Sequence, residues 1–149
     1  MKNTYPTIAV KNLSVAFNHK QVIHDISFNI PKNKIVGVVG ESGSGKSVTS
    51  LAMMGLLPDK IATITGSIKY NGHEISELDS KKWQHLRGNE ISMVFQEPMS
   101  ALNPSMKCGK QVLEIITKHQ KCSKKEATEK VLELFDKVKV PNIERIVNA

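Results

Sequence analysis

The residues best suited to chemistry are eight in a row, Gly40-Glu41-Ser42-Gly43-Ser44-Gly45-Lys46-Ser47, which match G-x-x-x-x-G-K-[ST] without deviation. A loop whose backbone N–H groups must all turn toward one anion needs conformations that glycine adopts at little cost, here at Gly40, Gly43 and Gly45. In such a loop the Lys46 ammonium reaches the β- and γ-phosphates of a nucleotide, and the Ser47 hydroxyl ligates Mg²⁺. A helix starting directly behind the loop adds the positive end of its dipole. At average composition the four fixed positions match by chance in roughly one chain in a few hundred of this length.

The flanking segments supply the setting that the motif requires. Before the loop, Ile35-Val36-Gly37-Val38-Val39 carries no charge and is rich in β-branched residues, which predicts a strand buried on both faces of a parallel sheet. After it, Val48, Leu51, Ala52 and Gly55 follow helical spacing from Ser47 to Leu57, and Pro58 ends the element. Both readings are independent of the motif itself.

The remaining elements frame this unit. Ile8 and Val10, then Leu13, Val15 and Phe17, then Ile26, Phe28 and Ile30 alternate as half-buried antiparallel strands do, with a change of parity near Asn12 that predicts a turn or bulge, and Pro31 closes the segment. Residues 64–75 read as a hairpin turning at Asn71-Gly72. A short helix is expected over residues 80–86, and Ile91-Ser92-Met93-Val94-Phe95 reads as a further strand ending at Gln96. Beyond Pro104 the pattern turns helical. Val112, Ile115, Ile116 and His119 share one face. Ser123-Lys124-Lys125-Glu126 forms a capping box for a second helix with the stripe Ala127, Val131, Leu134, Phe135 and Val138.

Composition narrows the class. The 149 residues are 40% hydrophobic and 23% charged, as in one globular domain able to bury a core. The longest apolar stretch, Leu51 to Leu57, is far short of a membrane span, and residues 1–11 do not read as a secretory signal, so a cytoplasmic chain is expected. Cys108 and Cys122 read as free thiols, about 20 Å apart if the intervening segment is helical. The net charge of +7 rests on scattered lysines, and Arg87 and Arg145 are the two arginines, so a solvated surface is the favoured reading and nucleic acid is not the expected partner. The five histidines show no close paired spacing for a metal.

A phosphate-binding loop alone leaves GTPases, kinases, helicases and transport ATPases open. Further residues make the pattern specific. The loop, together with Met93-Val94-Phe95-Gln96-Glu97-Pro98-Met99-Ser100-Ala101-Leu102-Asn103-Pro104, Leu13-Ser14-Val15-Ala16-Phe17 and Leu86-Arg87-Gly88-Asn89-Glu90-Ile91, resembles the nucleotide-binding subunit of an ATP-binding cassette (ABC) transporter, within the dipeptide, oligopeptide and nickel importer group. The resemblance implies an α/β fold of the P-loop NTPase type. It has an N-terminal antiparallel β-subdomain, with residues 1–106 as the first part of the nucleotide-binding core and 107–149 as the beginning of a helical subdomain.

Carried over residue by residue, the resemblance implies ATP contacts from Phe17, which matches the aromatic that stacks on adenine, from Gly40, Glu41, Ser42, Gly43, Ser44, Gly45, Lys46, Ser47 and Val48, and from Gln96. Gln96 matches the glutamine that touches Mg²⁺ and the attacking water, so Ser47 and Gln96 are the implied Mg²⁺ ligands. ATP and Mg²⁺ are the implied cofactors. The implied partners are transmembrane permease subunits, a second ATPase subunit and, indirectly, a substrate-binding protein, which places the chain on the inner face of the cell membrane.

Other elements of the cassette are not found. After Gly109 there is no glycine for a Ser-Gly-Gly signature, and after Gln96 the sole Asp is Asp136, on an amphipathic pattern and followed by Lys137 rather than a catalytic Glu. The Val140-Pro141-Asn142-Ile143-Glu144-Arg145 run resembles the approach to the signature. The expectation is therefore the N-terminal part of a longer ATPase, able to bind Mg-ATP but with no catalytic residue of its own and negligible turnover. A small kinase or GTPase complete in itself would need an Asp on a second core strand and, for a GTPase, Asn-Lys-x-Asp, which does not occur. A naturally short regulatory module that binds nucleotide without hydrolysis is the other alternative.

Overall fold

The computed structural model describes residues 5–96 and 101–147, which fall into two compact units that divide between Gln84 and His85. Glu97, Pro98, Met99 and Ser100 of the family-like segment lie outside the described residues. In chain order the elements are β1 (Ile8–Phe17), β2 (Lys20–Ile30), α1 (Lys46–Met53), β3 (Ala62–Tyr70), β4 (His73–Glu74), α2 (Ser80–Leu86), α3 (Cys108–His119), α4 (Lys124–Lys137) and α5 (Ile143–Val147).

The first unit is organised by an antiparallel sheet of order β2-β1-β3-β4. The β1–β2 turn uses Asn18 and His19 at φ 46° and 66°, and the β3–β4 turn uses Asn71 and Gly72 at φ 48° and 86°, the positive angles that tight hairpins need. The expected irregularity near Asn12 crosses three strands. Asn12 and Asp25 both take positive φ, and the Asn12 amide side chain donates to Asp25 Oδ1 at 2.7 Å. The Asn12 backbone N–H donates to Ser27 Oγ at 2.8 Å, and that of Asp25 to Ser14 Oγ at 2.9 Å. On β3, Gly66 at φ 100° leaves room for the Asn12 backbone, whose carbonyl carbon would stand 2.7 Å from a Cβ there.

The bulge resets which side chains point inward. Ile26, Phe28 and Ile30 alternate on one parity of β2, and past Asp25 the inward position moves to Ile23. Ile23 joins Val10, Leu13 and Val15 of β1 and Ile68 of β3 among the buried residues, with Val15 directly opposite Ile23 across the ladder.

Helix α1 is shorter than its pattern predicts. It ends at Met53, and Gly55 turns the chain at φ 59°, three residues before Pro58. The buried indole of Trp83 is the reason that only glycine fits: a Cβ on Gly55 would lie 2.5 Å from Cζ2 and 2.8 Å from Nε1 of that ring.

Two expected strands are not formed. Residues 35–39 have no regular structure and Val39 is 93% exposed; residues 92–95 are likewise irregular and Val94 is 93% exposed, with a single bridge between Arg87 and Ile91 preceding them. A strand is a relation between segments, because its amides need acceptors on a neighbour about 4.8 Å away. Among the described residues the sheet of the first unit is wholly antiparallel and residues 35–39 pair with none of its strands, while in the second unit the run at 91–95 makes only the parallel bridge from Ile91 to Arg87.

The second unit is helical. Ile116 of α3 and Ala127 and Val131 of α4 form its core, with Val112, Leu113, Cys122, Phe135 and Val147 against them. Ser123 and Glu126 make the expected capping box, Ser123 Oγ accepting from the Glu126 N–H at 3.2 Å and Glu126 accepting from the Ser123 N–H at 2.7 Å. The expected stripes are narrower in the structure: Ile115, Leu134 and Val138 are exposed, Val138 to 70%. Periodicity marks an apolar face, and the width actually buried is set by what lies against it. Cys108 and Cys122 are half-buried free thiols. Among the described residues no helix is long and apolar enough to cross a membrane.

Candidate functional site

The loop at residues 40–47 is built around its glycines and its lysine. The Ser44 N–H donates to the Glu41 carbonyl at 3.2 Å, closing a turn over Ser42 and Gly43, and Gly43 takes φ 81° with open space where a Cβ would be. Gly40 lies so close to the far side of the loop that a Cβ there would stand 2.7 Å from Ser44 Oγ. Gly45 is the N-cap of α1 at φ 93° and provides no side-chain cap. The Thr49 N–H is bonded to the Gly45 carbonyl at 2.9 Å, while the preceding amides of Lys46, Ser47 and Val48 belong to the first helical turn, where backbone N–H groups lack helical partners.

Lys46 turns back over the loop. Its ammonium donates to the Gly40 carbonyl at 2.8 Å, the Glu41 carbonyl at 2.7 Å and Ser44 Oγ at 3.3 Å. The Ser50 hydroxyl donates to the Lys46 carbonyl at 3.1 Å, within α1. One fixed positive charge, three amides at a helix start and a concave backbone turn fit an oxyanion, and the Ser47 hydroxyl beside them is a hard oxygen donor of the type Mg²⁺ takes.

An open cavity of about 660 Å³ adjoins the loop, lined by Gly40, Ser44, Lys46 and Thr49 and by apolar residues that include Val22, Ile23, Phe28 and Val38. The structure thus brings Gly40 through Val48 together. Phe17 lies at the end of β1, half-buried and opposite Lys20 and Ala62, outside the lining of that cavity. Gln96 lies in the second unit, exposed in a bend rather than at the end of a strand. Farther along, the Gln111 side chain braces Asn103 and Met106, accepting from the Asn103 N–H at 2.9 Å and donating to the Asn103 and Met106 carbonyls at 3.0 and 2.9 Å.

Two residues beside the loop escape a reading of sequence alone. Thr49, 6% exposed, is a buried polar side chain on α1 facing the cavity, and a hydroxyl inside an amphipathic turn was its available signal. Ile23 packs against Gly45 and carries no signal, because its inward position depends on the bulge at Asp25.

Comparison with known proteins decides the family. The ABC transporter family model matches residues 23–148. The chain belongs to the ABC transporter family. Its relatives include the oligopeptide transport ATP-binding protein OppD of Bacillus subtilis, 42% identical over 95% of this chain and 41% of that protein. Another is the dipeptide transport ATP-binding protein DppD of Lactococcus lactis, 41% identical over 95% of this chain and 42% of that protein. This ABC chain therefore spans about two fifths of the length of the curated relatives it matches. Among solved structures it is similar to the dimeric, post-hydrolysis ATP-binding cassette MJ0796 bound to ADP and Pi. The TM-score is 0.76 at 22% identity, over 95% of this chain and 60% of that one. That likeness gives the ABC chain the ABC ATPase fold expected from its residues.

Proposed function

We propose that residues 40–47 bind the phosphates of ATP, and that this chain is the nucleotide-binding part of a subunit coupling ATP binding and hydrolysis to import of peptides or nickel. The observation carrying the reading is the loop itself: Lys46 folded over Gly40 and Glu41, with positive-φ glycines leading directly into the first turn of α1. In that arrangement the Lys46 ammonium exchanges its carbonyl partners for phosphate oxygens, and the amides of Lys46, Ser47 and Val48 hold the same anion. Ser47 would hold Mg²⁺ through its hydroxyl, and Gln96 is the further ligand that the family resemblance implies. Phe17 stacks on the adenine. Bound Mg-ATP supplies the phosphoanhydride whose cleavage drives transport.

Residues 1–106 act in this reading as nucleotide-binding core and 107–149 as the beginning of the helical subdomain. The names of the oligopeptide and dipeptide relatives favour peptide as cargo. A second ATPase subunit and transmembrane permease subunits are the partners, engaged from the inner face of the membrane. Isothermal titration with Mg-ATP tests the reading: binding that disappears in Lys46→Ala supports it, and equal affinity in both proteins overturns it.

A further inference from the structure

The reading of residues 40–47 as a phosphate loop raises the question of what holds the loop against the sheet. Gly45 is the pivot, since the loop ends and α1 begins there at φ 93° and ψ 5°. At Gly43 a Cβ would meet nothing. At Gly45 the opposite holds: an added Cβ would overlap Cδ1 of Ile23, with Ile23 Cγ1 and the Val22 carbonyl oxygen each at 3.7 Å.

Ile23 is 4% exposed, while Val22 and His24 on either side of it are exposed. It faces inward because the bulge at Asp25, pinned by Asn12, shifts the alternation of β2 by one residue. Beside it, directly across the ladder, stands the fully buried Val15. A close-packed aliphatic side chain flanked in this way yields little, so it limits how far the pivot can move toward the sheet.

We propose that Ile23 is a positioning residue for nucleotide binding, its δ-methyl seating Gly45 so that the loop and the first turn of α1 share one fixed orientation. Ile23 touches no phosphate; it acts through the glycine. A loop held in its binding conformation loses less freedom when the anion arrives, which raises affinity without adding a contact. The proposal rests on the phosphate-loop reading above.

The test uses Mg-ATP titrations of the full-length protein. Ile23→Val deletes the contacting δ-methyl and leaves the rest of the side chain, and it should weaken binding about five- to tenfold. Ile23→Leu restores a δ-methyl and should bring affinity back to within about twofold. Ile68→Val makes the same deletion at a buried position of β3; it should lower the melting temperature as Ile23→Val does and leave affinity unchanged. Equal affinity in Ile23→Val and the parent protein, or an equal loss in Ile68→Val, overturns the positioning role. The Lys46→Ala arm separates the two levels. Loss of binding there with an unaffected Ile23→Val sinks only this proposal, whereas unaltered binding in Lys46→Ala sinks the phosphate-loop reading and this proposal with it.

Discussion

The Lys46 ammonium stands 2.8 Å from the carbonyl oxygen of Gly40, the residue that opens its own loop. Together with the bond to Glu41 at 2.7 Å, this makes the lysine a clasp between the two ends of the loop. A clasp on neutral, exposed carbonyls contributes on the order of 1 kcal/mol or less to folding, while under the proposed function the same charge holds the phosphates. Lys46→Ala should therefore remove detectable Mg-ATP binding and shift the urea midpoint little. Intact binding by calorimetry would count against the loop assignment, and a large midpoint shift against the division of roles.

Phe17 ends β1 partly buried, opposite Lys20 and Ala62. A stacking platform needs one free face, and base–aromatic stacking contributes roughly 1–3 kcal/mol. Phe17→Ala is expected to weaken ATP binding severalfold, with Phe17→Tyr close to the parent protein. Loss of stability with no change in nucleotide affinity would instead assign Phe17 to strand packing.

Gly55 and Trp83 form a second close approach, with Nε1 of the indole 2.8 Å from where a Gly55 Cβ would lie. Gly55→Ala adds overpacking against a buried ring to a positive φ that alanine resists, and the sum is about 2–4 kcal/mol of destabilisation. Trp83 is the single tryptophan of the chain, so its emission reports the change directly. The variant should show a red-shifted spectrum and an earlier denaturation midpoint; an unshifted spectrum would mean that the ring and the helix end move apart freely.

Glu74 gives the fold an acid-side limit. Burial pushes its carboxyl up, but bonds from the Ser67 and Ser76 hydroxyls and from the Ile68 and Ser76 amides outweigh burial and hold it at about 2, against an ordinary 4.5. A folded-state value below the unfolded one means stability that is fully present above pH 4.5 and lost as pH falls toward 2. With solvent screening at this half-buried site, the contribution is about 1–2 kcal/mol. Glu74→Gln should flatten the stability profile across that window and lower stability at neutral pH. A profile that keeps its slope would place the acid sensitivity elsewhere.

The loop at residues 40–47 was legible because its geometry is local. Gly40 to Ser47 close on themselves through bonds spanning two to six residues, so residue type and spacing carry nearly all the information. The capping box at Ser123 and Glu126 and the turn at Asn71-Gly72 were legible for the same reason. The residues 35–39 and 91–95 were not, since an apolar β-branched run states a preference for burial without naming its neighbour. In the structure residues 35–39 are exposed and irregular, and residues 92–95 are irregular with Val94 and Phe95 exposed. Leu134 and Val138 show the helical form of that limit: both continue an apolar stripe, and both are exposed.

Sequence by itself thus determined the family, the hairpin turn at Asn71-Gly72 and the capping box at Ser123 and Glu126, all of which depend on contacts within a few residues or on motifs of fixed spacing. Tertiary structure alone decided that Ile23 backs Gly45, that Trp83 forbids a side chain at Gly55, and that Asn12 reaches Asp25 to reset the register of β2. Each of these joins residues at least thirteen positions apart, where chain connectivity no longer restricts position and close packing does.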